Sequence, residues 1–405
     1  MMSKKFTLSI SSVICFFTFM ISFFNTNYFA GYNTIKYISL VLIGLYIAKY
    51  SYILLLRKFL PVNLSLILFS AFVVISAYFN LYRDTERNPF LAAIVFSGSL
   101  IEMFFIAEIM SEKGNSIKMV NIYYKAALII TIITEFIAIF LPSFAATNQD
   151  SYLIGTKFQV VYMHYLIIAF YLTKNELIKK KSNIRILILL CVWAILASVF
   201  TQCSTGVVGI TLLIVFLVIF REKRNVLISS NILLITLLFS FAFVFIYSFM
   251  LNNPLAEYVV VNLLHRDMTL SSRTIVFNKV LNLLPDNLLW GFGYGLAYEL
   301  GIQLAGIPNT QNAILNWIWQ CGVGTTALMV AFMVMVFYCS KRISRYDQAE
   351  ALKPLCILIY IFVILGAIEV TFNSTFFGLL AALLLISNKN PSMIKQTKYN
   401  CKQLY

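Results

Sequence analysis

Apolar residues run in long blocks along almost the whole chain, separated by short polar breaks. Blocks at roughly 6–24, 34–56, 62–81, 89–110, 120–141, 158–173, 185–201, 206–220, 229–250, 310–338, 354–370 and 374–387 each predict a helix. A bilayer crossing needs about 20 apolar residues, with about 17 to 25 the usual range. Two of the breaks are very short. Thr201-Gln202-Cys203-Ser204-Thr205-Gly206 divides the run from Ile184 to Phe220, and Thr371-Phe372-Asn373 divides the run from Pro354 to Ser387. Each pair therefore reads as two short spans or as a re-entrant hairpin. Between Leu251 and Asn309 the pattern changes to a long polar insertion. Within it Ile275, Val276, Val280, Leu283 and Leu284 recur at helical spacing, which predicts an amphipathic helix from Leu270 that Pro285 ends. The expected fold is an all-α polytopic membrane protein with about twelve transmembrane helices, forming a single transmembrane domain over 1–405. One large loop at 251–309 holds short amphipathic helices, and a basic tail occupies 388–405.

Composition agrees with this pattern. Sixty per cent of the residues are apolar and 12% are charged, with a mean hydropathy of +0.86; a soluble domain carries roughly 25% charged residues. The formal charge of +15 points to anionic lipid or a pyrophosphate ligand. It does not point to nucleic acid, because the basic residues fall in short clusters between apolar runs. Seven cysteines without paired spacing read as small apolar residues rather than a disulfide framework. The start at Met1-Met2-Ser3-Lys4-Lys5 reads as an uncleaved first span. With both termini placed in the cytoplasm, every Lys and Arg except Lys36, Arg83, Arg87, Lys157, Arg266, Arg273 and Lys279 falls on the inner side, as the positive-inside rule requires. The 251–309 loop is then extracytoplasmic. Its basic residues run against that bias, which argues for a ligand. No internal repeat is visible, which weighs against transporters built from duplicated halves.

The polar insertion offers chemistry of its own. Ser271 or Ser272 suits an N-cap, and Arg273 falls in the first turn of the amphipathic helix, where free backbone N–H groups and a guanidinium together favour an anion. The same residues also fit an interfacial helix lying at the headgroups. Gly291-Phe292-Gly293-Tyr294-Gly295 permits tight turning and close approach to a ligand. Asn309-Thr310-Gln311-Asn312 opens the next span, where its amides suit either a sugar or a helix cap. Glu102, Glu108, Lys125, Glu135 and Glu369 lie within apolar runs, where charge is expensive and marks function by default. Glu108 with Lys125 reads as a structural ion pair, Glu369 beside Thr371-Phe372-Asn373 as an active-site candidate, and His164 as a satisfied core histidine.

The order of a Ser-Arg-Thr helix start at Ser272-Arg273-Thr274, a Gly-Phe-Gly-Tyr-Gly turn, a polar helix mouth at 309–312 and Gly322-Val323-Gly324 resembles the signature of the O-antigen ligase and Wzy-type polysaccharide polymerase superfamily. Gly155-Thr156-Lys157-Phe158 is similar to a further element of that family. Two departures stand out. Gln311-Asn312 replaces the family's His-Asn pair, which favours polymerase over ligase, and Ser204-Thr205 lacks the arginine that often follows that serine. The resemblance implies a GT-C-like helical bundle in a bacterial plasma membrane. It implies transfer of a glycan from undecaprenyl pyrophosphate to a second lipid-linked oligosaccharide repeat unit on the outer face, in O-antigen or capsule synthesis. A flippase and a chain-length regulator are the expected partners. Arg273 and Arg266 would neutralise the departing pyrophosphate. His265, Asp267 or Glu299 would act as base, with Glu369 nearby. Lys157, Lys279, Asn309, Gln311, Asn312 and Gly293 would bind substrate. The loop holds no Asp-x-Asp element, so the expected transfer needs no metal and no cofactor. A ligase, or a flippase for the same lipid-linked unit, is the competing expectation.

Overall fold

Every apolar block forms a helix in the computed structural model, which describes residues 9–24, 31–56, 58–83, 85–141, 152–220, 224–250, 273–344 and 346–388. The described helices are α1 (Ile10–Phe23), α2 (Tyr32–Lys49), α3 (Leu60–Phe79), α4 (Pro89–Glu112), α5 (Ser116–Phe140), α6 (Lys157–Leu177), α7 (Ile184–Phe200), α8 (Ser204–Ile219), α9 (Arg224–Leu227), α10 (Ser230–Met250), α11 (Arg273–Leu283), α12 (Ala297–Ala305), α13 (Ala313–Ile343), α14 (Tyr346–Leu365) and α15 (Ser374–Ser387). No strand occurs among the described residues, only an isolated bridge between Tyr152 and Gly155. Among the described residues, four helices, α3, α4, α5 and α13, are long and apolar enough to cross a membrane.

Helix starts follow the polar residues in the breaks. Asn88 accepts from Phe90 N and Leu91 N ahead of Pro89, and Asn373 accepts from Thr375 N and Phe376 N. Thr156 and Gln159 form a capping box at the start of α6. Such caps satisfy N–H groups that would otherwise lie bare at a helix end. At the short break after α7, Gln202 adopts a left-handed φ of 51°, and Cys203 N donates to Ser198 O at 2.9 Å. The two apolar runs thus separate within a single tight turn.

Helix α15 lies at the centre, with every residue from Thr375 to Ser387 buried. It packs on α4, α13 and α14, while α3 packs along α13 and α6 bridges α5 and α14. Peripheral helices show the reverse pattern. Ile129, Ile132, Ile133 and Phe136 form an exposed apolar stripe on α5, whose other face buries Met119, Tyr123 and Ala127. An apolar outward stripe is what a lipid-facing helix requires.

Interior charges are paired differently from the expectation. Glu108 is fully buried and accepts from Asn63 Nδ2 at 3.1 Å, whereas Lys125 lies exposed on α5. An uncharged amide donor thus replaces the expected ion pair. Lys58 pairs with Glu112 and donates to Asn388 Oδ1 at 2.8 Å, tying the start of α3 to the ends of α4 and α15. His164 is buried, as a core histidine should be. Its Nδ1 lies 2.9 Å from Val160 O, a pure acceptor, so Nδ1 carries a proton. Its Nε2 lies 3.0 Å from Glu135 Oε1, and Glu135 Oε2 accepts from Trp193 Nε1 at 2.7 Å.

Candidate functional site at the glycine-turn end

Helix α13 is broken at Gly322, whose φ of 78° and ψ of 174° leave the helical region altogether. That conformation is essentially open to glycine alone. The backbone groups freed there bond the glycine turn instead of the helix. Phe292 N donates to Trp319 O and Gly293 N to Gln320 O, both at 2.8 Å, while Val323 N donates to Leu288 O at 2.9 Å. Contact is so close that a Cβ on Gly291 would fall 2.6 Å from Cys321 N, and one on Gly322 would fall 2.0 Å from Leu289 O. The Phe292 ring stacks on Trp319 at 4.1 Å, and the Arg83 guanidinium lies 4.8 Å from the same ring. Arg83 also donates to Asn287 Oδ1 at 2.6 Å. The turn therefore plugs the gap in a discontinuous helix.

The first half of α13 begins at a buried mouth. Asn312 caps it by accepting from Leu315 N at 2.9 Å, and its Nδ2 donates to Ser240 O and Ala367 O at 3.0 and 3.1 Å. Ala313 N donates to Gly366 O at 2.7 Å, and Trp317 Nε1 to Phe372 O at 3.0 Å. These bonds fasten the connector between α14 and α15 around the half-helix. Glu369 sits in that connector. It was expected inside a span, but α14 stops at Leu365, where Gly366 turns away to meet Ala313.

Around Glu369 the fold gathers residues from three other elements. Thr205, in the first turn of α8, donates to Glu369 Oε1 across 3.4 Å. The Glu369 carboxylate is also within electrostatic reach of the buried Tyr162 of α6. Burial pushes the Cys203 thiol up, with Glu369 adding to the rise and Lys157 opposing it. Gln311 completes the mouth. It holds a left-handed φ of 51°, and its Oε1 is buried with no hydrogen-bond partner among the described residues. Strain and an orphaned acceptor on one side chain mark a position built for something other than stability.

Of the residues singled out from the sequence, the structure thus brings Gln311, Asn312 and the connector that carries Glu369 together, while Lys157 opens α6. Asn309 supports the mouth by accepting from Gln311 N at 2.9 Å. Gly293 lies in the docked turn. Lys279 donates to Ala305 O at 2.6 Å, joining α11 to α12, and Glu299 Oε1 accepts from Glu86 N at 2.7 Å, joining α12 to the α3–α4 loop. Arg273 begins α11, which packs against α10. His265, Arg266 and Asp267 lie outside the described residues, as do Ser271, Ser272 and the tail from 389 onward. Thr205, Tyr162, Cys203 and Gln320 are the additions. The polar break at Thr201–Gly206 hints at Thr205 and Cys203, and nothing in the sequence marks Tyr162 or Gln320.

A second polar feature lies at the same end of the bundle. A cavity of about 540 Å³ opens between α2, α4 and the glycine turn, with Lys36 and Arg87 in its wall and Tyr294, Gly295, Gln320 and Asn373 beside them. No protein-family model matches the chain, and no curated protein matches it.

Proposed function

We propose that the protein is a polysaccharide polymerase of the Wzy type, joining lipid-pyrophosphate-linked oligosaccharide repeat units on the outer side of a bacterial plasma membrane. The observation that carries this reading is the Glu369 carboxylate, which accepts from Thr205 and stands on the connector bonded to the mouth of the broken helix α13, where the Gln311 acceptor is left unpaired. In the proposed reaction a hydroxyl of the acceptor sugar attacks the anomeric carbon of the donor. The bond from that carbon to the phosphate oxygen breaks, and the lipid pyrophosphate leaves with the electron pair. Glu369 takes the hydroxyl proton. Lys157, with Arg273 and Arg266, offsets the charge that grows on the leaving group. Gln311 Oε1 supplies an acceptor for a sugar hydroxyl. Glu369 is preferred to Glu299 as base because it stands on the connector that is bonded to Asn312 and Ala313 at the mouth of α13.

The discontinuous helix also favours a second reading, a flippase for the same lipid-linked unit, since broken helices line many transport paths. Against it, the gap in α13 is filled by Phe292 and Gly293 rather than left for a substrate. One assay separates the two. The purified protein in detergent micelles is given a lipid-pyrophosphate repeat unit, and products are resolved on a gel. A polymerase yields a ladder, which Glu369→Gln abolishes while the variant still purifies as folded protein. Absence of any ladder from wild type, or an undiminished ladder from Glu369→Gln, sinks the proposal.

A further inference from the structure

The cavity between α2, α4 and the glycine turn has the makings of a second anion site. Its two cations come from unrelated parts of the chain, Lys36 from the first turns of α2 and Arg87 from the α3–α4 loop. Among the described residues neither has a carboxylate partner, and no Asp or Glu lines the space. That leaves two like charges facing one cavity, an arrangement that repels itself unless an anion joins it. Three helices also begin at this wall: α2 at Tyr32, α4 behind its Asn88 cap and α15 behind its Asn373 cap. Their positive dipole ends add to the same field. A volume of about 540 Å³ lies within the range of ligand sites, roughly 300–1,000 Å³. On its flank Leu91 of α4 is 54% exposed, and Ile38 and Val41 of α2 are similarly bare, so an apolar chain can lie alongside the charged mouth.

We propose that this cavity binds a phosphate-bearing anion, a pyrophosphate group above all, held by Lys36 and Arg87. Within the polymerase reading, on which this assignment of role rests, it is the seat of one of the two lipid-linked chains that a single transfer joins. The connector running from Gly366 to Asn373 supplies Glu369 at its middle and a lining residue, Asn373, at its end. Two phosphate-bearing substrates would then be held on either side of one short segment.

The test is local and does not depend on catalysis. Full-length protein in nanodiscs of zwitterionic lipid is photo-cross-linked to a polyprenyl diphosphate bearing a diazirine near its head, and labelled peptides are mapped by mass spectrometry. Labelling is expected on α2 between Tyr32 and Val41 and on α4 between Asn88 and Met103, falling at least tenfold in Lys36→Gln/Arg87→Gln. The charge-retaining Lys36→Arg/Arg87→Lys should keep it, which separates loss of charge from loss of fold. Competition by free inorganic pyrophosphate would show that phosphate chemistry suffices. Competition by unlabelled polyprenyl diphosphate alone would assign the site to a lipid headgroup. Labelling that is absent from these peptides in wild type, or unchanged in the double Gln variant, overturns the proposal. Because the readout is a map of binding, it can succeed even if no glycan ladder ever forms.

Discussion

Single glycines decide the geometry where the turn docks on α13. Gly322 and Gly324 stand two residues apart in α13 and look interchangeable in the sequence. A Cβ on Gly324 meets nothing within 4 Å, while one on Gly322 would be driven to 2.0 Å from the Leu289 carbonyl. Gly322→Ala should therefore cost at least about 2 kcal/mol, from the backbone conformation alone, before the clash is added. Gly324→Ala should be neutral or stabilising by up to about 1 kcal/mol, because it removes backbone freedom from a helical position. Thermal melting followed by size-exclusion chromatography checks the pair. Equal midpoints for the two variants would remove the break in α13 from the argument. Residue scale is also where sequence reading reached least far. The sequence presents Gly293 as a place for a ligand to approach, whereas its N–H donates to Gln320 O and the nearest approach in this turn is of one backbone to another.

At the scale of elements, the apolar blocks revealed the helices because burial and lipid both demand the same long runs, and the short polar breaks marked the turns. What they concealed is that α13 is two helices. Apolar residues continue through Trp317, Ile318 and Trp319 to Cys321 and Val323 with Gln320 the lone polar side chain among them, and nothing in the periodicity shows that carbonyls there are bonded from another segment. Glu369 was misassigned to a span for the same reason: apolar neighbours on its N-terminal side extend the block past the point where Gly366 leaves the helix. The docked turn makes its own prediction. Phe292 is the ring that holds the plug, stacked on Trp319 and 4.8 Å from the Arg83 guanidinium, and replacing a buried phenylalanine by alanine costs about 3–5 kcal/mol. Phe292→Ala should loosen the turn from α13 and expose Cys321, which is fully buried behind it. Maleimide labelling mapped to the Cys321 peptide should rise severalfold in the variant. No change would mean that the backbone bonds hold the turn without the ring.

On the scale of the whole molecule, charge and packing can be tested against one another. Lys58, Glu112 and Asn388 are joined at one end of the bundle. Helices α3, α4 and α15 run from or to that end. The opposite end then carries Asn88, Asn373, Glu369 and the glycine turn, together with Lys36, Arg83, Arg87, Lys157 and Lys279, the described basic residues that the charge bias predicted outside. Lys113, Lys118 and the run Lys179-Lys180-Lys181 stay with the Lys58 end, because they follow α4 and α6. The positive-inside rule would seat the richer basic end of such a bundle in the cytoplasm, and we propose on that ground that both polar sites face outward. A cysteine replacing Tyr82, which is 75% exposed near Arg83, should react in intact cells with a membrane-impermeant maleimide. A cysteine replacing Lys180, beyond the end of α6, should react only after permeabilisation. The opposite result would seat Glu369, Lys157 and the Lys36–Arg87 cavity in the cytosol. A lipid-linked chain presented outside could then reach none of them, and both the polymerase reading and its second phosphate site would fall together.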